Sequence, residues 1–399
     1  MPGFEVFGEE EKQQVLEVLE TGVLFRYEFA EKRNGVYKVA EFEKRFAEYC
    51  GAKHAQAVSS GTAALRVALA ALGISPGDEV ITQGFTFVAT WEAILEAGAV
   101  PVFAEVDESL TMDPQDLEKK ITPRTKAIIP VHMLGAPARI DEIVAIADKH
   151  RIPVIEDTAQ ACGGTFEDRR LGTFGAMGIF SFDPVKTMTT GEGGMIVTDD
   201  PALYQNTAEY HDHGHDHNPE LDRGLESRRF IGMNYRMTEL QGAIGLAQLA
   251  KLDAMISEQK KHKAAIKAAL ENVDGVTFRD IPDAEGDTAT FLGFFLPDGE
   301  AARRFNGVLA DEKAGAIYFK GNTWHFYPKW EHLLKGLTLC RTGWPFKGRD
   351  GEDLRYAPDG LPKSEAVFDR LLVYPIPVKM ADDRLEMIVA AIRKADSAL

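Results

Sequence analysis

Residues 50–200 alternate short apolar runs with amphipathic stretches of helical period. Apolar runs of this length, bounded by turn residues, predict strands, and the stretches between them predict helices. The predicted strands lie near 54–58, 79–83, 100–105, 126–132, 152–156, 176–182 and 194–198. The predicted helices lie near 62–72, 87–97, 113–121 and 139–150. Strand–helix–strand alternation at this spacing predicts an α/β fold with a mostly parallel sheet that helices cover on both faces.

The pattern changes after residue 200. Residues 236–272 are rich in Ala, Leu and Lys, and their apolar residues recur three and four apart, which predicts a long helix. The rest of the chain predicts strands near 292–296 and 315–319 and an amphipathic helix at 383–395. We therefore expect a large α/β domain over residues 1–274 and a smaller α+β domain over residues 275–399.

Charge and cysteine content exclude several classes of protein. The 399 residues include 62 acids and 45 Lys or Arg, a net charge of −17, so we expect neither a nucleic acid nor a membrane as partner. The acidic opening of the chain predicts no signal peptide. Cys50, Cys162 and Cys340 are widely separated and fit neither a disulfide framework nor a zinc site, so we expect a cytoplasmic protein.

Two predicted loops carry residues suited to an aromatic, phosphorylated ligand, because ligands of open α/β sheets bind beyond the carboxyl ends of the strands. Ser60, Gly61 and Thr62 stand where a strand ends and a helix begins. Free N–H groups at a helix N-terminus bind phosphate, although a plain N-cap by Ser60 or Thr62 explains the same residues. Phe87, beyond the next strand, either stacks on a planar ring or belongs to the core.

Two further loops carry an acid and a lysine. Asp157 follows Glu156 and the apolar run 152–155, so its carboxylate needs a cationic or hydrogen-bonding partner, unless it caps a helix. Lys186 follows a strand and has small and hydroxyl-bearing neighbours. Most lysines are solvated surface charges, but one whose surroundings lower its pKa forms a Schiff base with a carbonyl. Phosphate donors, a stacking ring, a buried acid and such a lysine together match one cofactor, pyridoxal phosphate.

Long ordered motifs support this interpretation. Residues 59–199, the stretch 121–132 within them, and residues 232–241 resemble the DegT/DnrJ/EryC1/StrS family of sugar aminotransferases. The resemblance covers nearly the whole chain. It implies the aspartate aminotransferase fold, PLP fold type I, for the large domain, and a PLP-dependent transaminase activity.

The resemblance also implies roles for individual residues. Lys186 is the catalytic lysine, which binds the cofactor aldehyde and later carries the proton. Asp157 pairs with the pyridine nitrogen, and Phe87 stacks on the ring. Further implied cofactor contacts are Gln160 near the ring hydroxyl and Ser60, Gly61, Thr62 and Ser181 at the phosphate. Asn234 reaches the phosphate of the neighbouring subunit, which implies a homodimer with shared active sites.

Stretches outside these motifs resemble the branch that makes 8-amino-3,8-dideoxy-D-manno-octulosonate. They are residues 1–5, 25–27, 211–217 and 322–330. In that branch the acceptor is a free keto-sugar acid that feeds lipopolysaccharide, and we expect L-glutamate as the amino donor. The alternatives are a nucleotide-linked keto sugar as acceptor, a PLP sugar dehydratase, and a PLP-binding protein without turnover. Dehydratase relatives carry His in place of the lysine, so Lys186 favours transamination.

The candidate substrate contacts are His213, Arg229, Trp324 and His325. Arg229 belongs to a basic cluster with Arg223, Arg228 and Arg236. Such a cluster grips a sugar acid or a dicarboxylate donor, or else pairs with Asp222 and Glu226. The alternate histidines of residues 211–217 lack the usual spacing of metal ligands and suit a loop over the site equally well, so we predict no metal.

Overall fold

The computed structural model describes residues 3–347 and 353–399. Met1 and Pro2, which open the first branch-specific stretch, lie outside the described residues. The strands are β1 (His54–Val58), β2 (Glu79–Gln83), β3 (Val100–Ala104), β4 (Thr125–Ile128), β5 (Ile155–Asp157), β6 (Thr165–Phe166), β7 (Arg169–Arg170), β8 (Met177–Ser181), β9 (Gly194–Thr198), β10 (Thr277–Phe278), β11 (Phe291–Phe295), β12 (Ile317–Tyr318) and β13 (Leu371–Pro375). The helices are α1 (Glu9–Thr21), α2 (Lys38–Cys50), α3 (Gly61–Ala71), α4 (Ala89–Glu96), α5 (Pro114–Lys120), α6 (Ile140–His150), α7 (Pro201–Tyr210), α8 (Glu239–Leu270), α9 (Gly299–Asp311), α10 (Glu331–Leu334), α11 (Pro362–Asp369) and α12 (Asp382–Asp396).

The large sheet has two groups of strands. In the first, β1, β9, β8 and β5 are hydrogen-bonded in that order, and in the second β2 lies between β3 and β4. Parallel bridges from Ile128 to Val154 and from Val131 to Asp157 join the two groups. Only β9 runs against its neighbours; β5 is parallel to β8, and β2 is parallel to β3 and β4. The prediction of a mostly parallel sheet is therefore confirmed.

Helices cover both faces of this sheet. Successive strand residues point to opposite faces, so Val80 packs in the cluster with α3 and α4, whereas Ile81 packs in the cluster with α6. Strands β8 and β9 bury all of their residues. Burial on both faces explains why these strands are continuous apolar runs in the sequence rather than alternating ones.

The C-terminal part of the chain forms a second, antiparallel sheet. Its strand order is β10, β11, β13, β12, and α9 and α12 pack on it in a separate hydrophobic cluster. The long helix α8 contacts α1 and α2 at one side and α12 at the other. The division that we expected at residue 274 falls between α8 and β10.

The apolar patterns did not predict α1, α2, α7, α9, α10 and α11, nor the strands β6, β7, β10 and β13. Helix α1 is mostly polar and buries few residues, and those it buries lie against α8, far away in sequence. Strands β4 and β5 are shorter than predicted, because Pro130 and Pro153 have no N–H group to donate to a neighbouring strand. In the described residues Cys50 and Cys162 are buried and free, Cys340 is exposed and free, and no helix is both long and apolar enough to cross a membrane.

Candidate active site

A cavity of about 200 Å³ lies beyond the carboxyl ends of β1, β2, β5 and β8. The sequence-predicted residues that line it are Ser60, Gly61, Thr62, Phe87, Asp157, Gln160, Ser181, Lys186 and His325. The structure thus brings together residues that are up to 265 positions apart. A larger, more open groove between α1, α2 and α8 contains none of the predicted site residues.

Lys186 lies in the loop that follows β8. Its Nζ is 5.9 Å from the centroid of the Phe87 ring. Burial lowers the pKa of the Lys186 amine below its usual range, although the carboxylates of Asp183 and Asp157 oppose this shift. A lowered pKa leaves more of the amine neutral near neutral pH, and the neutral amine is the nucleophilic form.

Asp157 is the last residue of β5, and it too faces the cavity. One carboxylate oxygen accepts the Thr90 hydroxyl at 2.9 Å, and the other accepts the Ala159 N–H at 3.1 Å. Burial raises the pKa of Asp157, and these hydrogen bonds, with the charge of Lys186, counteract the shift. Within the described residues Asp157 forms no salt bridge. A buried carboxylate whose direct partners are neutral suits a protonated ring nitrogen.

The N-terminus of α3 forms another wall. The Ser60 hydroxyl oxygen accepts the Ala63 N–H at 3.0 Å, so Ser60 is the N-cap of α3. This agrees with the alternative that assigned Ser60 a capping role. The N–H groups of the next residues, Gly61 and Thr62, have no carbonyl partner within the helix. A Cβ atom on Gly61 would lie 2.6 Å from Ser181 Cβ and 2.9 Å from its Oγ. Glycine therefore lets the amides of α3 approach the Ser181 hydroxyl, which creates a cradle for an anion.

A segment from the second sheet region closes the cavity. Residues 324–327 run antiparallel to residues 84–88, where Thr86 and Val88 donate their N–H groups to the His325 and Trp324 carbonyls, both at 3.1 Å. The Trp324 ring lies almost parallel to Phe87, with 5.7 Å between centroids. Trp324 therefore backs the predicted stacking residue rather than lining the cavity itself.

His325 does line the cavity. Its Nδ1 lies 3.1 Å from the Asn322 amide oxygen, an acceptor, so Nδ1 carries the hydrogen and Nε2 is left as an acceptor. Burial, with the nearby charge of Lys186, lowers the pKa of His325 to about 4. Gln160 offers a hydrogen-bond donor instead, because its amide oxygen accepts the Leu134 N–H at 3.1 Å and its NH₂ group remains available to donate.

Several residues of the site were not predicted from the sequence. Thr90 holds Asp157, and its hydroxyl lies 2.7 Å from that of Thr86. Asp183 and Glu192 add acidic side chains to the cavity wall. Thr86 lies before α4 and Thr90 in its first turn, and nothing local in the sequence indicates that their hydroxyls face Asp157.

Besides Trp324, three predicted site residues lie outside this cavity. Asn234 accepts the Arg236 N–H with its own side-chain oxygen at 3.3 Å, and its expected role concerns the partner's site. His213 is exposed. Arg229 is bound to Glu209, with its Nε 2.9 Å from a carboxylate oxygen. The roles of these residues remain predictions.

The other arginines of the basic cluster also have polar partners, but these are not the expected Asp222 and Glu226 carboxylates. Arg223 and Arg236 both donate to Asp212, the latter at 2.6 Å, and Glu226 lies against His215. Arg228 contacts His215 and donates to the Glu226 backbone carbonyl at 3.4 Å. In the part of the chain that the structure describes, the arginines therefore form no ion pair with the Asp222 or Glu226 carboxylate.

The histidine run is a packing element. His211 is fully buried; its Nδ1 lies 2.7 Å from the Ala208 carbonyl, and its Nε2 lies 3.0 Å from the Tyr27 hydroxyl. His217 stacks on the Tyr27 ring at 4.4 Å. In the part of the chain that the structure describes, no group of three His, Cys, Asp or Glu side chains is placed to hold a metal.

Comparison with known proteins places the chain among aminotransferases. The model of the DegT/DnrJ/EryC1/StrS aminotransferase family matches residues 6–338. The spore coat polysaccharide biosynthesis protein SpsC of Bacillus subtilis is 36% identical over 400 residues, 97% of this chain and 95% of that protein. The L-glutamine:2-deoxy-scyllo-inosose aminotransferase of Micromonospora echinospora is 36% identical over 374 residues, covering 88% and 86% of the two chains.

A GDP-perosamine synthase of Caulobacter vibrioides is 43% identical over 228 residues, covering 56% of this chain and 59% of that protein. Among solved structures, an aminotransferase from Psychrobacter cryohalolentis superposes with a TM-score of 0.81 at 28% identity, covering 98% of this chain and 97% of the other. The 3-amino-5-hydroxybenzoic acid synthase structure has a TM-score of 0.78 at 27% identity, with the same coverage.

Proposed function

This chain belongs to the DegT/DnrJ/EryC1/StrS aminotransferase family and is a pyridoxal phosphate-dependent sugar aminotransferase of PLP fold type I; from that premise we propose its substrates. The proposed donor is L-glutamate. The proposed acceptor is the 8-oxo form of 3-deoxy-D-manno-octulosonate, which yields 8-amino-3,8-dideoxy-D-manno-octulosonate. We also propose that the enzyme works in the cytoplasm on a precursor of lipopolysaccharide.

One observation carries the proposed assignment of the catalytic residues. A desolvated lysine, a carboxylate without a cationic partner and the N-terminus of a helix line the same small cavity. Pyridoxal phosphate, when bound, supplies an aldehyde for an amine and a ring that withdraws electrons from the neighbouring carbon. The residues that would hold it are Asp157 and Gln160 at the ring, Phe87 on its face, and Ser60, Gly61, Thr62 and Ser181 at the phosphate.

The chain's own residues then divide the work. Lys186 would supply the amine that the aldehyde of the cofactor requires, and its Nζ, when not engaged there, would carry the proton that the donor carbon gives up. Asp157 would keep the ring nitrogen protonated, because a negative charge stabilises a nearby cation in a site of low polarity. Phe87, backed by Trp324 and flanked by His325, fixes the plane of the ring and keeps water from that side.

The acceptor is proposed from the stretches that resemble the octulosonate branch. Two of them pack together, since Tyr27 contacts both His211 and His217. A third, residues 322–330, contributes His325 to the cavity wall and places Trp324 against Phe87. Neutral His325, with an acceptor nitrogen, suits a sugar hydroxyl better than a carboxylate or a phosphate.

A second acceptor class has its own support. GDP-perosamine synthase, named for a GDP-linked product, is 43% identical to this chain over 228 residues. The aminotransferase named for 2-deoxy-scyllo-inosose matches a greater share of the chain at 36% identity. A nucleotide-linked keto sugar is therefore the alternative acceptor, and L-glutamine, named for that relative, is the alternative donor.

Charge supports a shared site in a homodimer. Among the described residues that line the cavity, Lys186 is the one Lys or Arg, whereas Asp157, Asp183 and Glu192 are acidic. A donor or acceptor carboxylate thus requires positive charge from outside this cavity wall. A second copy would bring it with Asn234 and Arg228, whose hydrogen bonds go to His215 and a backbone carbonyl rather than to a carboxylate.

Exposed apolar side chains support the same dimer. They concentrate in two segments, residues 4–37 and residues 221–233, and the second precedes Asn234. The exposed members of these segments are Phe4, Phe7, Leu16, Leu19, Leu24, Phe29, Tyr37, Leu221, Leu225, Ile231 and Met233. Apolar side chains gathered in this way are typical of a protein–protein interface.

A substrate screen tests the proposal. Purified enzyme with pyridoxal phosphate is incubated with free and nucleotide-linked keto sugars, each with glutamate or glutamine, and aminated products are detected by mass spectrometry. We expect the 8-oxo octulosonate with glutamate to give the highest kcat/KM, and Lys186→Ala to give no product. Preference for a nucleotide-linked sugar would select the alternative acceptor, and product without any donor would contradict transamination.

A further inference from the structure

The N-terminal turn of the chain reaches the backbone of Lys186. This turn, Gly3–Val6, is a short 3₁₀ helix, and the Gly3 N–H donates to the Lys186 carbonyl at 2.9 Å. On its other side the lysine is held within its own loop, since the Lys186 N–H donates to the Asp183 carbonyl at 3.0 Å. The position of the Lys186 backbone therefore depends on a residue more than 180 positions away.

Gly3 fits this place because it has no side chain. A Cβ atom there would lie 2.8 Å from the Thr189 backbone nitrogen and 2.9 Å from Met188 Cα, and closer still to the amide oxygen of Gln248. Two of these three atoms belong to the backbone of the lysine loop, which cannot turn aside as a flexible side chain does. Any larger residue must push the turn away from Lys186.

A buried polar network fixes the turn from behind. Gln248, fully buried in α8, accepts the Thr189 N–H at 3.3 Å and donates to Glu11 at 2.8 Å. Glu11, also fully buried, accepts Lys251 Nζ at 2.8 Å, and the same Nζ donates to the Val6 carbonyl at 3.1 Å. A chain of hydrogen bonds thus joins the lysine loop, α8, α1 and the end of the turn.

The turn is tied to the C-terminal region as well. The Glu5 carboxylate accepts the Lys379 N–H at 2.7 Å, at the connection between β13 and α12. The turn is thereby clamped between the loop that carries Lys186 and the second sheet region. Contacts on both sides leave little freedom for a segment that lies so near the chain terminus.

We propose that Gly3, held by the Glu11–Gln248 pair, is a positioning residue for Lys186. The inference depends on the proposed catalytic role of Lys186 and adds a determinant outside the cavity. Gly3 does not line the cavity; it sets where the lysine backbone lies and hence where Nζ points. A displacement of a reacting group by about 1 Å slows an enzyme by roughly a hundredfold.

The test compares Gly3→Ala with Gly8→Ala, a matched control in the same segment. A Cβ on Gly8 meets nothing closer than 3.1 Å, at the end of the flexible Glu10 side chain. We expect Gly3→Ala to lower the rate of the glutamate half-reaction by roughly ten- to a hundredfold with little change in donor affinity. Hydrogen exchange of residues 183–190 in the cofactor-free protein should rise, and Gly8→Ala should match the parent protein in both measurements.

A second variant, Gln248→Met, keeps the side-chain volume and removes both hydrogen bonds, and we expect the same two changes in weaker form. If both variants are as stable as the parent, keep its half-reaction rate and leave exchange of residues 183–190 unchanged, the positioning role is wrong. That outcome leaves the proposed function intact. Failure of the parent protein itself to react with any amino donor would instead contradict the proposed function.

Discussion

The approach of α3 to the end of β8 gives a sharp prediction at Gly61. A Cβ atom at this position would lie 2.6 Å from Ser181 Cβ and 3.3 Å from Ser181 Cα. Carbon atoms in contact prefer about 3.5–4.0 Å, so Gly61→Ala must move the two elements apart by about 1 Å. Such overpacking costs roughly 1–3 kcal/mol of folding free energy. The same movement separates the amides of Gly61 and Thr62 from the Ser181 hydroxyl.

We therefore expect Gly61→Ala to bind pyridoxal phosphate about ten- to a hundredfold more weakly, the equivalent of roughly 1.4–2.7 kcal/mol. The dissociation constant is measured by absorbance titration, and stability by thermal unfolding without cofactor. Gly307→Ala in α9 is the control, because nothing lies within 4 Å of its added Cβ, and we expect unchanged affinity. Parent-like cofactor affinity in a folded Gly61→Ala protein would refute the close-approach argument.

Three further predictions address the other walls of the site. Asp157→Asn removes the negative charge beside the ring nitrogen, so we expect the glutamate half-reaction to slow by on the order of a hundredfold in stopped-flow absorbance; an unchanged rate would contradict the role of Asp157. His325 has a folded pKa of about 4, below its ordinary 6.5, so the unfolded chain binds a proton first and stability falls as pH drops from 6.5 to 4. We expect the free energy of unfolding of His325→Gln, measured by urea titration, to fall less than that of the parent protein over this pH range, by up to roughly 3 kcal/mol. Equal losses in the two proteins would contradict the burial argument. Mixing Lys186→Ala with Asn234→Ala subunits should restore activity that neither homodimer has, because one site of the mixed dimer keeps both native residues; no recovery after verified subunit exchange would exclude a shared site.

The sequence predicted the large sheet and the cavity well, for a physical reason. Strands buried on both faces are continuous apolar runs, and the carboxyl ends of parallel strands meet at one edge of the sheet. Placing Asp157 and Lys186 at two such ends was therefore enough to predict that they share a crevice, and both line the cavity.

Long-range contacts could not be predicted in the same way. Trp324 reaches Phe87 only because residues 324–327 pair with residues 84–88 across the chain, and no local pattern specifies that pairing. Helix α1 is likewise positioned by α8 rather than by strong apolar periodicity of its own. Helix α2 differs, because Val39, Phe42 and Phe46 are buried at helical spacing and so carried a local signal that could have predicted it. The contact of Gly3 with Lys186 belongs to this class, since its cause is the shape of the surrounding backbone.

The most direct test of the central claim is to locate the covalent attachment of the cofactor. The enzyme is incubated with pyridoxal phosphate, reduced with borohydride, digested and analysed by peptide mass spectrometry. We predict one stoichiometric pyridoxyl label, on the peptide that contains Lys186, and its complete loss when glutamate is added before reduction. A label that stays on another lysine, or a Lys186→Ala protein that is labelled and turns over like the parent, would contradict the account.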